Sequence, residues 1–163
     1  FDGVVTVGKK SLKWIPFFGQ LYYLSGNIMI DRNNSGRARD TLKLTVKKIL
    51  DGNFSVWFFP EGTRSNGQGL LPFKTGAFRI AEETDKPILM ICASNTHKQI
   101  KWNRWDNGTV LIRFYEPERL DESKDIKQWT MYFHNQMKQR LIELNETADT
   151  YNHTVQPKSK RDV

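Results

Sequence analysis

The sequence predicts an α/β fold, a mostly parallel mixed sheet with flanking helices. Short apolar runs, rich in β-branched and aromatic residues, recur along the chain and end in charged residues, as sheet strands commonly do. Between two of these runs, residues 40–50 place apolar side chains at helical spacing with lysines opposite. A strand, a helix and a strand in this order form the βαβ unit from which parallel sheets are built.

The first predicted strand, residues 4–7, leads to two lysines, the first of which is Lys9. A lysine at the end of a strand can offer its ammonium group to a phosphate. The next stretch, residues 11–24, is mostly apolar and aromatic, but Pro16 and Gly19 interrupt it, which favours short helical pieces. Aromatic residues beside lysines suit both a membrane interface and a packed core, and both interpretations stay open.

Residues 26–32 form the second predicted strand, which ends in charge. The third strand, residues 55–59, is predicted to be buried because it is short, aromatic and β-branched. Pro60 ends it, since proline has no N–H to donate to a neighbouring strand. The chain then supplies two opposite charges, a glycine and two hydroxyls, in the order Glu61, Gly62, Thr63, Arg64, Ser65. Ligands of open α/β sheets bind at the carboxyl ends of strands, so this turn is the predicted site.

In the second half of the chain, Lys74 and Thr75 precede a predicted helix over residues 76–83, whose N-terminus would favour anions. Further strands are predicted at residues 88–93 and 109–115. The last predicted helix, residues 126–144, carries one apolar face made of Trp129, Phe133, Met137, Leu141 and Leu144. We expect one domain over residues 1–147 and a disordered polar tail over residues 148–163.

Composition narrows the classes of function. The net charge of +7 is uneven, because residues 1–74 hold 11 Lys and Arg against 5 Asp and Glu. Such a surface attracts anions, whether lipid headgroups, phosphorylated metabolites or nucleic acid. No apolar run approaches the roughly 20 residues of a membrane span. One cysteine, Cys92, is expected to be buried and reduced, and three scattered histidines offer no metal-ligand set, so no metal or bound cofactor is predicted.

The turn carries a family resemblance. Residues 59–65, F-P-E-G-T-R-S, resemble the third sequence block of the bacterial glycerolipid acyltransferases. Residues 26–32, a glycine, three variable residues and I-D-R, resemble the second block, and residues 7–12 resemble the strand-then-lysine segment. The stretch after Pro87 resembles the fourth block, although Met90 stands where a second proline is usual.

The resemblance implies that Lys9, Arg32 and Arg64 contact the phosphate of the substrate. The other substrate-binding residues that it implies are Glu61, Gly62, Thr63 and Lys74, and Pro87 is placed near an acyl-chain pocket. Glu61 would hydrogen-bond the glycerol hydroxyl or order the turn, because the charge of the nearby arginine keeps it a poor base.

The family's H-x4-D motif has no copy here, because the residues five positions after the three histidines are Trp102, Gln139 and Lys158. The resemblance therefore places the catalytic His/Asp pair upstream of Phe1, with a membrane-associated segment. Because the chain begins with Phe rather than Met, inside a predicted strand, we expect a piece of a longer protein that is inactive alone.

The implied reaction moves an acyl group from acyl-CoA or acyl carrier protein to the sn-2 hydroxyl of 1-acyl-glycerol-3-phosphate. It would take place at the cytoplasmic face of the inner membrane, with the membrane surface and acyl carrier protein as partners. Two alternatives stay open. One is an acyltransferase with another glycerol-phosphate or lysolipid acceptor. The other is a non-catalytic module that binds anionic lipid or nucleic acid, although nucleic acid is not the predicted partner.

Overall fold

A computed structural model describes residues 3–30, 35–52, 54–97, 103 and 107–155 of the chain. The strands are β1 (Val4–Lys9), β2 (Ile28–Ile30), β3 (Ser55–Trp57), β4 (Ile91–Ala93) and β5 (Ile112–Phe114). The helices are a 3-10 helix (Lys10–Trp14), α1 (Phe18–Leu24), α2 (Ser35–Gly52), α3 (Gly76–Thr84) and α4 (Ile126–Val155). The α/β class is confirmed, and α1 and the 3-10 helix are the short pieces predicted around Pro16 and Gly19.

The chain divides into two compact units, where one domain over residues 1–147 was predicted. The first unit comprises Phe1–Thr63 and Lys74–Lys86, and the second comprises Arg64–Phe73 and Pro87–Val163. The parallel and antiparallel strands that were expected in one mixed sheet belong to two separate sheets, one in each unit.

The first unit holds a parallel three-stranded sheet in the order β2-β1-β3. Central strand β1 buries Val5, and α2 and α3 add Ile49, Phe78 and Ile80 to the core. The prediction that β3 is buried is wrong, since Trp57 is 39% exposed and Phe59, just beyond the strand, is 67% exposed. An apolar run does not distinguish a central strand from an edge strand, and β3 lies at the edge of this sheet.

The second unit holds the antiparallel pair β4 and β5, and α4 packs against β4. A reciprocal capping box starts α4, in which the amides and side chains of Asp125 and Gln128 bond each other at 2.8 and 2.7 Å. The predicted apolar face is confirmed by the burial of Trp129, Phe133 and Leu144. Cys92 of β4 is buried as predicted, at 1% exposure.

Helix α4 also corrects the predicted start of the tail at residue 148, because it continues to Val155. Two contacts hold this extension. Ala148 is buried, and the Asn152 side chain accepts a bond from the Thr109 amide at 2.7 Å and donates one to the Thr109 carbonyl at 3.2 Å. The polar composition hid these anchors, and residues 156–163 lie outside the described residues.

Candidate functional site

The three parallel strands bring the predicted site segments to one edge of the first unit. Lys9 is the last residue of β1 and pairs in register with Ile30, the last residue of β2. Trp57 pairs with Thr6, so Pro60 follows Trp57 by as many residues as Lys9 follows Thr6. Because the strands are parallel, their carboxyl ends meet at this edge, where the turn after β3 also begins.

The turn after β3 is fixed by backbone bonds. The Gly62 amide donates to the Phe59 carbonyl at 3.0 Å, and the Lys74 amide donates to the Pro60 carbonyl at 2.8 Å. The second bond joins the turn to the start of α3. Gly62 has a φ of +70°, a left-handed conformation that favours glycine.

Lys74 lies against this glycine. A Cβ added to Gly62 would lie 3.1 Å from Cδ and Cε of Lys74 and 3.7 Å from its Nζ. The ammonium group of an exposed lysine is therefore held beside the turn. Thr75 is the residue before α3, and its side chain makes no capping bond to any described residue. Because Lys74 directly precedes Thr75, the amides of the first turn of α3 begin close to this lysine.

The structure describes some of the remaining predicted residues in full and others in part or not at all. Glu61 is half-buried, and Thr63 and Arg64 are exposed; Arg64 begins the second unit. The structure gives the backbone of Lys9, while its side chain and the whole of Arg32 lie outside the described residues. Pro87 is exposed at the start of the strand region of the second unit, where its predicted acyl-pocket role stays a prediction.

The loop that follows Arg64 is largely exposed, and its Gly67 lies against His97 within the second unit. The Gln68 amide donates to the Ser65 carbonyl at 3.1 Å, and Gly67 between them has a φ of +85°. A Cβ on Gly67 would lie 2.9 Å from Cε1 of His97. Gly67 is therefore required both for its backbone conformation and for the space that the imidazole occupies.

Sequence reasoning missed one contact beside the site. The sequence carries no prediction for the neighbours of Gly8, yet the phenol of Tyr22 lies against it, and a Cβ on Gly8 would lie 2.8 Å from Cζ of Tyr22. The glycine just before a predicted phosphate-binding lysine was the available signal. The identity of its neighbour depends on how α1 folds back over β1, which the sequence pattern does not encode.

Two absences concern the described residues only. Their His, Cys, Asp and Glu side chains form no group of three or more that could hold a metal ion. In the same ranges of the chain, no helix combines the length and apolar character that a membrane span requires.

Parallel strands that end together beside a lysine, a helix N-terminus and a glycine turn define an α/β protein with an edge suited to a phosphorylated ligand. Comparison with family models identifies the family. The model described as acyltransferase matches residues 2–94, a range that includes every predicted site residue. The chain belongs to this acyltransferase family, which confirms the resemblance carried by residues 59–65.

Individual relatives agree with this assignment. The chain is 48% identical over 146 residues to the 1-acyl-sn-glycerol-3-phosphate acyltransferase of Haemophilus influenzae, covering 87% of this chain and 60% of that protein. The enzyme of the same name from Escherichia coli K12 is 46% identical over 144 residues, covering 87% of this chain and 59% of that protein.

A solved structure shares the fold. The crystal structure of the 1-acyl-sn-glycerophosphate (LPA) acyltransferase PlsC from Thermotoga maritima matches with a TM-score of 0.68 at 25% identity, covering 86% of this chain and 56% of that chain. The chain thus spans less than two thirds of the length of each of these relatives.

Proposed function

We propose that this chain forms the acceptor-binding part of a 1-acyl-sn-glycerol-3-phosphate acyltransferase. The observation that carries the proposal is that β1 ends at Lys9 and β3 leads into the Pro60–Thr63 turn, which contacts Lys74, at the same edge of a parallel sheet. Lysine ammonium groups and backbone amides stabilise a phosphate monoester. The names of the relatives support lysophosphatidic acid as the acceptor.

The proposed reaction transfers a fatty acyl group from acyl-CoA or acyl carrier protein to the sn-2 hydroxyl. A base takes the hydroxyl proton, the oxygen attacks the thioester carbonyl carbon, and the donor leaves as a thiol, giving phosphatidic acid. We assign the base to the histidine of an H-x4-D motif upstream of Phe1. In this chain Lys9, Arg32 and Arg64 would hold the phosphate, and Glu61 would hydrogen-bond the glycerol hydroxyl.

The test is acyl transfer from radiolabelled acyl-CoA to lysophosphatidate. This chain is compared with a version extended at its N-terminus by the segment expected to hold H-x4-D. Formation of phosphatidic acid by the extended version alone is the expected result. Activity of this chain alone would contradict the assigned base. Inactivity of both with lysophosphatidate would favour another glycerol-phosphate or lysolipid acceptor, or a non-catalytic anion-binding module.

We further propose that the first unit contacts the cytoplasmic surface of the inner membrane through an exposed apolar stripe. The stripe consists of Trp14, Phe17, Leu21 and Leu24, which are between 67% and 82% exposed. Leu21 and Leu24 lie three residues apart on one side of α1, Phe17 directly precedes this helix, and Trp14 ends the 3-10 helix before it. The exposed Lys13 beside the stripe adds a charge suited to anionic headgroups.

Vesicle sedimentation tests the membrane contact. We expect the chain to bind phosphatidylcholine vesicles that contain phosphatidylglycerol, and Leu21→Ser to reduce the bound fraction, because the stripe loses apolar area. Ile142→Ser is the matched control, since Ile142 of α4 is also exposed, at 53%. Equal binding by the two variants would exclude the stripe as the contact surface.

A further inference from the structure

The hydroxyl of Tyr22 joins α1 to the central strand of the first unit. Its Oη lies 2.7 Å from Oγ1 of Thr6 and donates to the Thr6 carbonyl oxygen at 3.2 Å. Thr6 lies in β1, two residues before Gly8 and therefore on the same side of the strand. The phenol thus lies along one face of β1 and reaches the glycine that precedes Lys9.

The same threonine also binds the start of β2. The Oδ1 atom of Asn27 accepts hydrogen bonds from the Thr6 amide at 2.8 Å and from the Thr6 hydroxyl at 3.0 Å. The first registered pair of these strands is Val7 with Ile28, so the asparagine side chain takes over the bonding one residue earlier. Tyr22, Thr6 and Asn27 together fix β1 relative to β2 just before the predicted site.

Gly8 is required here for space. A Cβ at this position would lie 2.8 Å from Cζ of Tyr22 and 2.9 Å from Cδ1 of Leu12, both closer than Cβ atoms approach other atoms. Gly8 is not one of the described glycines that have a left-handed φ. Its backbone conformation by itself would therefore accept a side chain. The glycine therefore allows the phenol to lie directly on the backbone of β1.

Lys9 follows this glycine and ends the strand, in register with Ile30 of β2. We propose that Tyr22 is a positioning residue for the acceptor site. Through its contacts with Thr6 and Gly8, Tyr22 fixes the position of the end of β1, and so of Lys9, at the edge of the sheet. This inference rests on the proposed function, in which Lys9 binds the acceptor phosphate. Tyr22 itself does not touch the acceptor.

The test is a double-mutant cycle with Tyr22→Phe and Lys9→Ala in the N-terminally extended enzyme, with lysophosphatidate as the varied substrate. Tyr22→Phe removes the contacts of the hydroxyl with Thr6 and keeps the ring. We expect the KM for lysophosphatidate to rise about three- to tenfold, the range for loss of hydrogen bonds of this kind. The KM for acyl-CoA and kcat should stay unchanged. Tyr23→Phe is the matched control, because Tyr23 is the next residue of α1 and is exposed.

The decisive comparison is the effect of Tyr22→Phe in the Lys9→Ala background. If Tyr22 acts through Lys9, adding Tyr22→Phe to the Lys9→Ala enzyme will leave its KM for lysophosphatidate unchanged. Equal increases in both backgrounds, parallel losses in kcat and acyl-CoA KM, or no effect of Tyr22→Phe would overturn the inference while leaving the proposed function intact. An unaltered KM in Lys9→Ala would instead refute the role of Lys9 and, with it, this inference.

Discussion

Gly62 has a φ of +70°, and an added Cβ there would meet the side chain of Lys74 at 3.1 Å. We therefore expect Gly62→Ala to lower the free energy of unfolding by about 1 kcal/mol or more through backbone strain. It should also displace Lys74 and raise the KM for lysophosphatidate. Urea denaturation and acceptor kinetics of the N-terminally extended enzyme measure the two effects.

Gly69→Ala separates strain from contact. Gly69 has a similar φ of +80°, but an added Cβ would meet no described atom within 4 Å. We expect a comparable loss of stability with an unchanged KM for lysophosphatidate. If both alanine variants gave the same kinetics, the contact of Lys74 with Gly62 would have no part in acceptor binding.

Cys92 gives a pH-dependent prediction, because its burial raises the pKa of the thiol, and the nearby Arg140 opposes this only in part. The unfolded chain releases the thiol proton at lower pH than the folded protein. The free energy of unfolding should therefore contain a contribution that is complete below about pH 8.5 and is lost as the pH rises further. Chemical denaturation at several alkaline pH values should show a shallower decline for Cys92→Ala, and an identical decline would contradict the assignment.

At the scale of elements, α4 depends on its last two turns. Asn152 satisfies both the amide and the carbonyl of Thr109, so Asn152→Ala leaves two half-buried polar groups without these partners. We expect a loss of about 1–3 kcal/mol in the free energy of unfolding, measured by urea denaturation. Asp149→Ala, at an exposed position of the same turns, should change it little. Equal stabilities of the two variants would mean that the extension is not anchored through Thr109.

The end of an element could be predicted from the sequence where neighbouring residues set it, and not where a contact distant in the chain does. Helix α3 was predicted within one residue, because Asp85 stops it in a left-handed conformation shortly before Pro87. The end of α4 was missed, because the burial of Ala148 and the bonds of Asn152 to Thr109, 43 residues earlier in the chain, hold it. The exposure of β3 was missed as well, since strand order is a property of the assembled sheet.

The candidate site shows the same division. The turn at residues 59–65 could be predicted from its residue types and its family resemblance. The sequence pattern contains no sign that Lys74 would lie on Gly62 or that Tyr22 would lie on Gly8. Both contacts join different elements, 12 residues apart for Lys74 and Gly62 (74 − 62) and 14 for Tyr22 and Gly8 (22 − 8), and each depends on the absence of a single Cβ.

At the scale of the whole molecule, the excess positive charge lies in the part of the chain that supplies most of the candidate site. Residues 1–74 carry a net charge of +6 out of +7. Such a field raises the local concentration of anionic substrates and favours an anionic membrane surface. Acceptor binding through phosphate should therefore weaken as ionic strength rises, because salt screens charges at the surface.

The central claim is that the acceptor is bound through its phosphate by the basic residues of this chain, and Arg64→Ala tests it most directly. The measurement is the KM for lysophosphatidate in the N-terminally extended enzyme, with Arg79→Ala as the control at an exposed arginine of α3. A charge-assisted phosphate contact contributes about 1.5–3 kcal/mol, so this KM should rise at least about tenfold in Arg64→Ala, with little change in Arg79→Ala. A KM for lysophosphatidate that stays unchanged in Arg64→Ala would contradict the account.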